Sequence, residues 1–437
     1  MDAPRAAPAQ GIVRNLNESR RSGRLRRPAY FAMQRPQMTQ PAPSPRRADL
    51  DWIRVTAFGL LILFHVSLVY APWDWHVHSK HTFAWLEEAT AATGPWRLSL
   101  LFLVSGAALR FMSRRYSPGE VLRARMARLI PPLLFGVLIL VPPQSWLEAV
   151  DKGSWTAGLI PWWLSEFSFR GLADGVPLNH LWFVEYIAVY SLAAVLLMTR
   201  PDWLAKLEAA VERLLGGWRL LVLPLLFFAL ARQLVFPPFG QTNQLTNDWY
   251  NHLTSLGVFL FGFTVAGRES VWKTFEANRR AALVTFLVST PLLMAVTAHP
   301  AGMAYGGWIK HALHGVEQWS AIAAILGFGS RYLRNTDGPA LRYLTDAVFP
   351  CYLAHQTLLV IAVRLVKPLN LPAAVEAMVL VTATVGGSLL VYELARRSGP
   401  MRPLWGLKRH PVVRGPAPPT AAGTTVAQPG ERPAGAA

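Results

Sequence analysis

The stretch DWIRVTAFGLLILFHVSLVYA, residues 51–71, decides how this chain folds. It is long and apolar enough to cross the roughly 30 Å of hydrocarbon in a bilayer as a helix. Arg54 and His65 nevertheless lie within it, with ten residues between them. Eleven helical steps of about 100° return nearly to the same face, roughly 16 Å further along the axis. Ionisable groups at such depths usually face protein or water, so the pair marks a candidate functional site.

Similar apolar segments recur along the rest of the chain, and its mean hydropathy is positive. They predict an all-α, polytopic membrane protein with about ten transmembrane helices. The predicted spans lie near residues 51–71, 95–113, 128–143, 180–198, 218–236, 251–267, 281–299, 307–328, 344–366 and 373–395.

The formal net charge of +18 would suit a nucleic-acid-binding protein, but its distribution argues against one. Basic residues concentrate in alternate connections and in the end segments, which is the positive-inside pattern. An even number of spans then places both termini in the cytoplasm. Three regions follow: residues 1–47 form a disordered basic cytoplasmic tail without a signal-peptide pattern, residues 48–396 the transmembrane domain, and residues 397–437 a mostly disordered cytoplasmic tail.

In this topology Arg54 lies near the cytoplasmic boundary and His65 near the middle of the bilayer. A guanidinium at the inner mouth suits a phosphate or carboxylate ligand. Snorkelling to the interface would explain Arg54 without any ligand. An imidazole exchanges a proton readily near neutral pH, although His65 would also fit a simple hydrogen bond to a neighbouring helix. Because the two share one face, we favour a functional site.

The outward connections are rich in Trp and His. An aromatic belt at the membrane interface explains most of these tryptophans, and we favour it over a sugar-binding platform. The histidines of residues 76–81, and His311 with His314, match no recognised metal-ligand pattern and no Cys supports them. We predict no metal. The residues concerned are Trp73, Trp75, His76, His78, His81, Trp146, Trp155, Trp162 and Trp163.

The Arg–ten residues–His spacing resembles the hallmark of the acyltransferase-3 family of membrane acyltransferases. Further segments resemble the family's motifs in order, over residues 48–396. They are LLFLVSGAALRF with Ser105 and Gly106, RARMARLIPP with Arg125 and Arg128, NHLWFVEYI with His180 and Trp182, and RYLTDAVFPCYLAHQTLLV with Pro350, Tyr352, His355 and Gln356.

Within the family, FHVSLVYAPWDWHVHS resembles the glucan-biosynthesis branch, which is associated with succinylation of periplasmic glucans. Trp75 and His76 are among the matching residues and are therefore expected on the acceptor side. Some other branches carry a Glu five residues after the Trp of the fourth span. Glu185 follows Trp182 by only three, so we assign Glu185 no role.

The resemblance implies a catalytic centre with substrate-binding groups on either side. His65 is expected to act with Arg54 and His355, either as general base or as the carrier of an acyl group; the sequence does not distinguish these routes. Arg125 and Arg128 would bind the phosphates of acyl-CoA, although positive-inside charge alone explains them. His355 is equally compatible with a structural hydrogen bond. The other expected substrate-binding residues are Ser105, His180, Trp182, Tyr352, Gln356, Trp75 and His76.

The expected activity is O-acyl transfer, of succinyl or acetyl, from acyl-CoA to a hydroxyl of an extracytoplasmic carbohydrate such as a periplasmic glucan. The expected location is a bacterial inner membrane, with no cofactor beyond the donor and with no prediction of oligomeric state. A transporter or flippase is the alternative, but we find no paired repeats. Lys310, His314 and Glu317 follow helical spacing and either line the acceptor entrance or neutralise each other; we favour neutralisation.

Overall fold

A computed structural model describes residues 46–408, except residue 92, residue 174 and residues 299–305. The predicted tail up to residue 45, and residues 409–437 of the second tail, lie outside the described residues. Every regular element in the described residues is helical. The α-helices are α1 Ala48–Leu68, α2 Trp85–Ala91, α3 Gly94–Ser113, α4 Pro118–Phe135, α5 Pro142–Asp151, α6 Leu159–Glu166, α7 Phe169–Ala173, α8 Trp182–Met198, α9 Pro201–Leu214, α10 Arg219–Leu234, α11 Phe236–Phe239, α12 Trp249–Asn251, α13 Gly257–Val265, α14 Glu269–Ala298, α15 Gly306–Leu333, α16 Pro339–Val366 and α17 Ala373–Arg397.

Seven helical stretches in the described residues are long and apolar enough to cross a membrane. A further pair, α9 and α10, passes the same test together but is bent by 105° between the two helices. The protein is therefore a multi-pass membrane protein. The seven stretches are Ala48–Leu68, Trp85–Ser113, Pro118–Asp151, Asn179–Met198, Glu269–Ala298, Pro339–Leu369 and Ala373–Arg397.

The third of these stretches differs in its bounds from the predicted span at 128–143. Helices α4 and α5 are joined by a π-helical turn, Gly136–Leu140, so helical structure runs from Pro118 to Asp151. Pro142 and Pro143 cannot donate backbone hydrogen bonds, which leaves carbonyls of the preceding turn free. Trp163 donates to one of them, the Leu138 carbonyl, at 2.9 Å.

The centre of the molecule is built around α1, which packs against α16, α15 and α3. Helix α16 is buried over most of its middle, from Pro350 to Gln356. Helices α3 and α13 approach closely at two glycines. A Cβ on Gly106 would lie 1.9 Å from the Phe259 carbonyl oxygen, and one on Gly262 would lie 2.1 Å from the Leu103 oxygen. These helices can be this close only because neither position carries a side chain.

The connection after α1 folds back over the end of the bundle. Its backbone is fixed where the Ser79 N–H donates to the Val69 carbonyl at 3.0 Å and the Phe83 N–H to the Tyr70 carbonyl at 2.8 Å. The Tyr70 hydroxyl donates to Glu376 of α17 at 3.4 Å. Burial, and then the Glu376 carboxylate, raise the pKa of Tyr70, so the hydroxyl keeps the proton that it donates. This folding brings residues 73–76 back toward α1.

Candidate active site

One stripe of α1 passes through the interior of the protein. It carries Arg54, Phe58, Leu61 and His65, at successive helical spacings of four, three and four. Arg54 and Phe58 line a small cavity of about 140 Å³. Leu61 and His65 line a larger cavity of about 750 Å³. The two ionisable residues of α1 thus face two different cavities, which we call the arginine cavity and the histidine cavity.

The arginine cavity is basic at its wall and apolar elsewhere. Arg54, Arg125 and Arg128 contribute guanidinium groups to it. Arg54 lies 3.8 Å from the Asp51 carboxylate one turn earlier. Such a concentration of cations favours a ligand that carries several negative charges. The remaining lining residues are Phe58, Leu101, Ser105, Ala108, Leu129, Phe183, Ile187, Thr345, Val348, Phe349 and Tyr352.

Arg125 is held in place by hydroxyl groups from two other helices. It donates from Nη2 to Ser105 Oγ at 3.1 Å and from Nε to Ser191 Oγ at 3.3 Å. Both partners are neutral, so the positive charge of Arg125 is not cancelled by them. Arg128 lies three residues further along α4 and packs its guanidinium 5.8 Å from the Phe349 ring centroid. Two oriented cations therefore face the same cavity as Arg54.

The histidine cavity is large enough for a drug-sized or disaccharide-sized ligand. Its wall combines tryptophans with side-chain amides, a combination suited to the apolar faces and hydroxyl groups of a sugar. We favoured an aromatic belt for the outer tryptophans, but Trp73 and Trp75 line this cavity. Its aromatic and amide residues are Trp73, Trp75, Trp182, Phe64, Phe183, Tyr250, Tyr352, Asn179, Gln241, Asn243, Asn251, Gln318 and Gln356.

The two cavities meet at one wall, because Tyr352 and Phe183 line both. Their ring centroids are 5.9 Å apart. The Tyr352 hydroxyl donates to the backbone carbonyl of His180, which fixes the position of its ring. His355, fully buried on the same helix, lies one turn beyond Tyr352. The reacting groups of a ligand that spans both cavities would pass this point.

His65 and His355 form a hydrogen-bonded pair behind that wall. His65 Nδ1 and His355 Nε2 are 3.2 Å apart. His355 Nδ1 lies 2.6 Å from the Tyr352 carbonyl oxygen, which can only accept, so His355 carries its proton on Nδ1. With both rings neutral, His355 Nε2 then accepts from His65 Nδ1–H. This arrangement leaves the lone pair on His65 Nε2 available to take a proton.

A second histidine of the cavity, His76, is held by a carboxylate. His76 Nδ1 donates to Glu148 Oε2 of α5. The Gln356 amide donates to His76 Nε2 at 2.8 Å and to Gln144 Oε1 at 3.1 Å. Lys152 bonds to Glu148 at 2.7 Å. These bonds connect the loop after α1, helix α5 and helix α16 into one polar network beside His65.

The remaining expected substrate-binding residues also line the histidine cavity. His180 Nε2 donates to the Leu353 carbonyl at 3.2 Å, and its Nδ1 has no hydrogen-bond partner in the described residues. Trp182 lines the cavity near Phe102, with ring centroids 6.3 Å apart. The Trp75 ring lies nearly parallel to that of His65, at a centroid distance of 6.4 Å.

Several other polar residues lie elsewhere or make different contacts. Glu185 lines neither cavity. In the described residues no ion pair joins Glu317 to Lys310; Glu317 instead accepts from Thr290 Oγ1 at 3.2 Å. Lys310 and His314 line the histidine cavity. The neutralisation that we favoured is thus replaced by separate contacts.

Sequence reasoning missed Arg97, Glu148 and Gln144. Arg97 lies three residues before the motif LLFLVSGAALRF of the second span, and Glu148 and Gln144 lie in what we read as a connection between spans. Glu148 meets His76 across 72 positions and Gln144 meets Thr357 across 213. These contacts join residues that are far apart in the sequence, so they become visible only in the folded structure.

A pair formed by the half-buried His65 and the buried His355, beside a basic cavity and a larger cavity lined by aromatic and amide side chains, suits a membrane-embedded transferase. A family model described as an acyltransferase domain matches residues 47–393. The chain belongs to this family, the acyltransferase-3 family, and is an acyltransferase that does not transfer aminoacyl groups.

Curated relatives agree with the family assignment. The chain is 24% identical to glucans biosynthesis protein C of Escherichia coli (strain K12) over 398 residues, which cover 86% of this chain and 97% of that protein. The proteins of the same name from E. coli O139:H28 (strain E24377A / ETEC) and E. coli O81 (strain ED1a) match at the same identity and coverage. No solved structure matches the chain.

Proposed function

We propose that the protein moves an acyl group, succinyl or acetyl, from acyl-CoA to a hydroxyl of an extracytoplasmic carbohydrate, with a periplasmic glucan as the preferred acceptor. The observation that carries the proposal is the His65–His355 pair between two chemically different cavities. The names of the curated relatives support glucan as the acceptor.

The charges of the two cavities support one substrate in each. Acyl-CoA carries several phosphates, and the arginine cavity offers the guanidinium groups of Arg54, Arg125 and Arg128. A sugar presents hydroxyl groups and apolar faces, and the histidine cavity offers amides and tryptophans. The pantetheine arm would bring the thioester past Tyr352 to His65.

In the direct route, His65 Nε2 removes the proton from the acceptor hydroxyl as its oxygen attacks the thioester carbonyl. The carbon–sulfur bond then breaks, and the CoA thiolate takes the proton from His65. In the covalent route, the lone pair of His65 Nε2 attacks the thioester carbonyl, the carbon–sulfur bond breaks, and CoA leaves as a thiolate. The acceptor hydroxyl then attacks the acyl group on His65, the carbon–nitrogen bond breaks, and the hydroxyl proton passes through His65 to the CoA thiolate. Both routes use the same nitrogen and balance without a cofactor.

We further propose ten spans in a bacterial inner membrane, with both termini and the arginine cavity on the cytoplasmic side. The seven long stretches are supplemented by α10, by α12 with α13, and by α15. The distribution of Arg and Lys between the connections supports this orientation. The tails at 1–47 and 397–437 would then be cytoplasmic.

The test is turnover by the purified full-length protein with succinyl-CoA or acetyl-CoA and an isolated glucan. We expect CoA release that depends on the glucan, with an ester on the recovered glucan by mass spectrometry. His65→Ala should lower kcat by about 10²–10⁴-fold, as expected for loss of a general base.

The exposed Leu63 on the same helix provides a matched control, since Leu63→Ala removes a side chain from α1 without touching either cavity. That variant should retain wild-type turnover. Unchanged turnover in a folded His65→Ala protein would contradict the role of His65. Accumulation of unmodified glycan in proteoliposomes without CoA release would instead support a transporter.

A further inference from the structure

Arg97 is a buried cation without an anionic partner. It lies on α3, is 3% exposed and lines the histidine cavity. Nη1 donates to the Thr93 hydroxyl at 2.8 Å, which is a neutral group, and Nε has no partner. No ion pair to Arg97 occurs in the described residues. Removing a charge from water without a counterion is costly, so a group that enters the cavity is the natural partner.

The guanidinium of Arg97 lies close to the reacting histidine. Its Cζ atom is 3.7 Å from the centroid of the Phe64 ring, whose centroid is 5.3 Å from that of His65. One aromatic ring therefore separates the cation from the imidazole. An anionic oxygen bound by Arg97 would belong to a ligand whose other end reaches His65.

The other charged groups of the cavity do not satisfy Arg97. Glu87 is exposed and Glu88 half-buried, and neither lies within ion-pair distance of Arg97. The remaining charged residues, Arg232 and Lys310, are also cations. The lining of the cavity thus carries three cations, Arg97, Arg232 and Lys310, against the two carboxylates of Glu87 and Glu88.

We propose that Arg97 is an anion-binding, specificity-determining residue, which binds a carboxylate that arrives in the histidine cavity beside His65. This extends the proposed function by giving the ligand a charged end. The carboxylate belongs either to the far end of a dicarboxylic acyl group or to a substituent of the acceptor. Arg suits this task because its planar guanidinium pairs with both oxygens of a carboxylate.

Two acyl donors that differ only in a distal carboxylate distinguish a carboxylate on the acyl group from one on the acceptor. Succinyl-CoA and butyryl-CoA have acyl chains of equal length, but only the first has a distal carboxylate. We would measure kcat and KM for both with wild-type protein, Arg97→Met and Arg97→Lys, using neutral and carboxylate-bearing glucans. Arg170→Met, which removes an exposed arginine from α7, is the matched control.

If the acyl group supplies the carboxylate, Arg97→Met lowers kcat/KM for succinyl-CoA by roughly 10- to 100-fold and leaves butyryl-CoA nearly unchanged. Arg97→Lys should recover part of the preference. If the acceptor supplies the carboxylate, Arg97→Met lowers kcat/KM for both donors equally, but only when the glucan carries a carboxylate. Either selective loss supports the proposal.

Equal activity of Arg97→Met and wild type in all four substrate combinations would overturn it, as would an equal loss in all four. Butyryl transfer to a neutral glucan reports whether the variant is folded. Wild-type turnover tests the proposed function separately. A readout without turnover is the stabilisation of the protein against thermal unfolding by succinate, relative to uncharged succinamide. We expect this difference in wild type and not in Arg97→Met; its absence from wild type too would contradict an anion site in the cavity.

Discussion

His65 has two ring nitrogens with different surroundings. Nδ1 faces His355 and belongs to a chain of two hydrogen bonds, from His65 to His355 and from His355 to the Tyr352 carbonyl. Nε2 takes no part in this chain. The direction of that chain follows from a single fact, that a carbonyl oxygen cannot donate. We therefore propose that His355 acts through His65, by holding its ring in the tautomer that leaves Nε2 free to accept a proton.

Replacing His355 tests this positioning role. His355→Phe removes the acceptor and leaves His65 Nδ1–H unpaired, so we expect kcat to fall at least about tenfold with little change in the KM of the donor. His355→Gln keeps an acceptor and should retain more activity than His355→Phe. The measurement is steady-state kinetics at several pH values, because an altered tautomer should also change the pH profile. Equal activity of both variants would argue that His355 only fills space.

Glu148 accepts a hydrogen bond from His76, which lines the histidine cavity, where we propose that the acceptor binds. In Glu148→Gln the carbonyl can still accept from His76, but without charge. We therefore expect a KM for the acceptor about three- to tenfold higher and an unchanged KM for the donor, the size of one weakened hydrogen bond. Asp74→Asn is the control, since Asp74 contacts Lys152 as Glu148 does but is largely exposed. A similar effect in both variants would assign the result to Lys152 instead.

The sequence predicted much of this site and left out a specific part. Arg54 and His65 share one helix, so their relation follows from helical geometry alone. The contact between His65 and His355 spans 290 positions, and the sequence suggested it only through the depth of each residue in its span. Arg97 carries no motif, and what distinguishes it is the lack of a partner, which only a three-dimensional arrangement reveals.

At the scale of the helices, the two adjacent residues of the Ser-Gly motif in α3 make different contacts. Ser105 accepts from Arg125, and Gly106, its neighbour, lets the Phe259 backbone approach. One residue thus orients the cation, while the next sets the distance between two helices. Substitution at the glycine should move the serine as well.

Gly106→Ala tests this coupling. The added Cβ would overlap a backbone oxygen, so the helices must separate, and we expect a loss of about 1–3 kcal/mol together with weaker donor binding. Thermal unfolding in detergent and the KM for acyl-CoA are the measurements. Gly386→Ala is the control, because no atom lies within 4 Å of the Cβ that it adds. A Gly106→Ala protein as stable as the control would contradict the close contact.

The boundaries of the helices were harder to predict than the presence of long apolar segments. The predicted third span ended at residue 143, so residues 144–179 were assigned to a connection. In the structure a π-helical turn carries the helix past this point, and the freed carbonyls are bound by side chains from elsewhere, such as Trp163. The donor to the Leu138 carbonyl lies outside this segment, so the sequence of the segment alone does not show that the helix continues.

At the scale of the whole molecule, two cavities of different chemistry share one wall. The arginine cavity is small and carries three guanidinium groups, the histidine cavity is larger and lined by aromatic and amide side chains, and Tyr352 and Phe183 border both. A transferase that keeps its substrates apart until reaction has use for such a division, since each can bind without excluding the other. We therefore expect substitutions in each cavity to change the KM of one substrate only.

Arg125→Gln tests the claim from the arginine cavity. The variant removes a guanidinium that is oriented by Ser105 and Ser191 but not neutralised by them. We expect a KM for acyl-CoA roughly 10- to 100-fold higher, from loss of charged hydrogen bonds, and an unchanged KM for the glucan. Free CoA should inhibit the variant correspondingly less. Arg123→Gln is the matched control, because Arg123 is exposed on the same helix and lines neither cavity. If the glucan KM rose as much as that of acyl-CoA, the two cavities would not be separate binding sites, and the donor would have to approach His65 by another path.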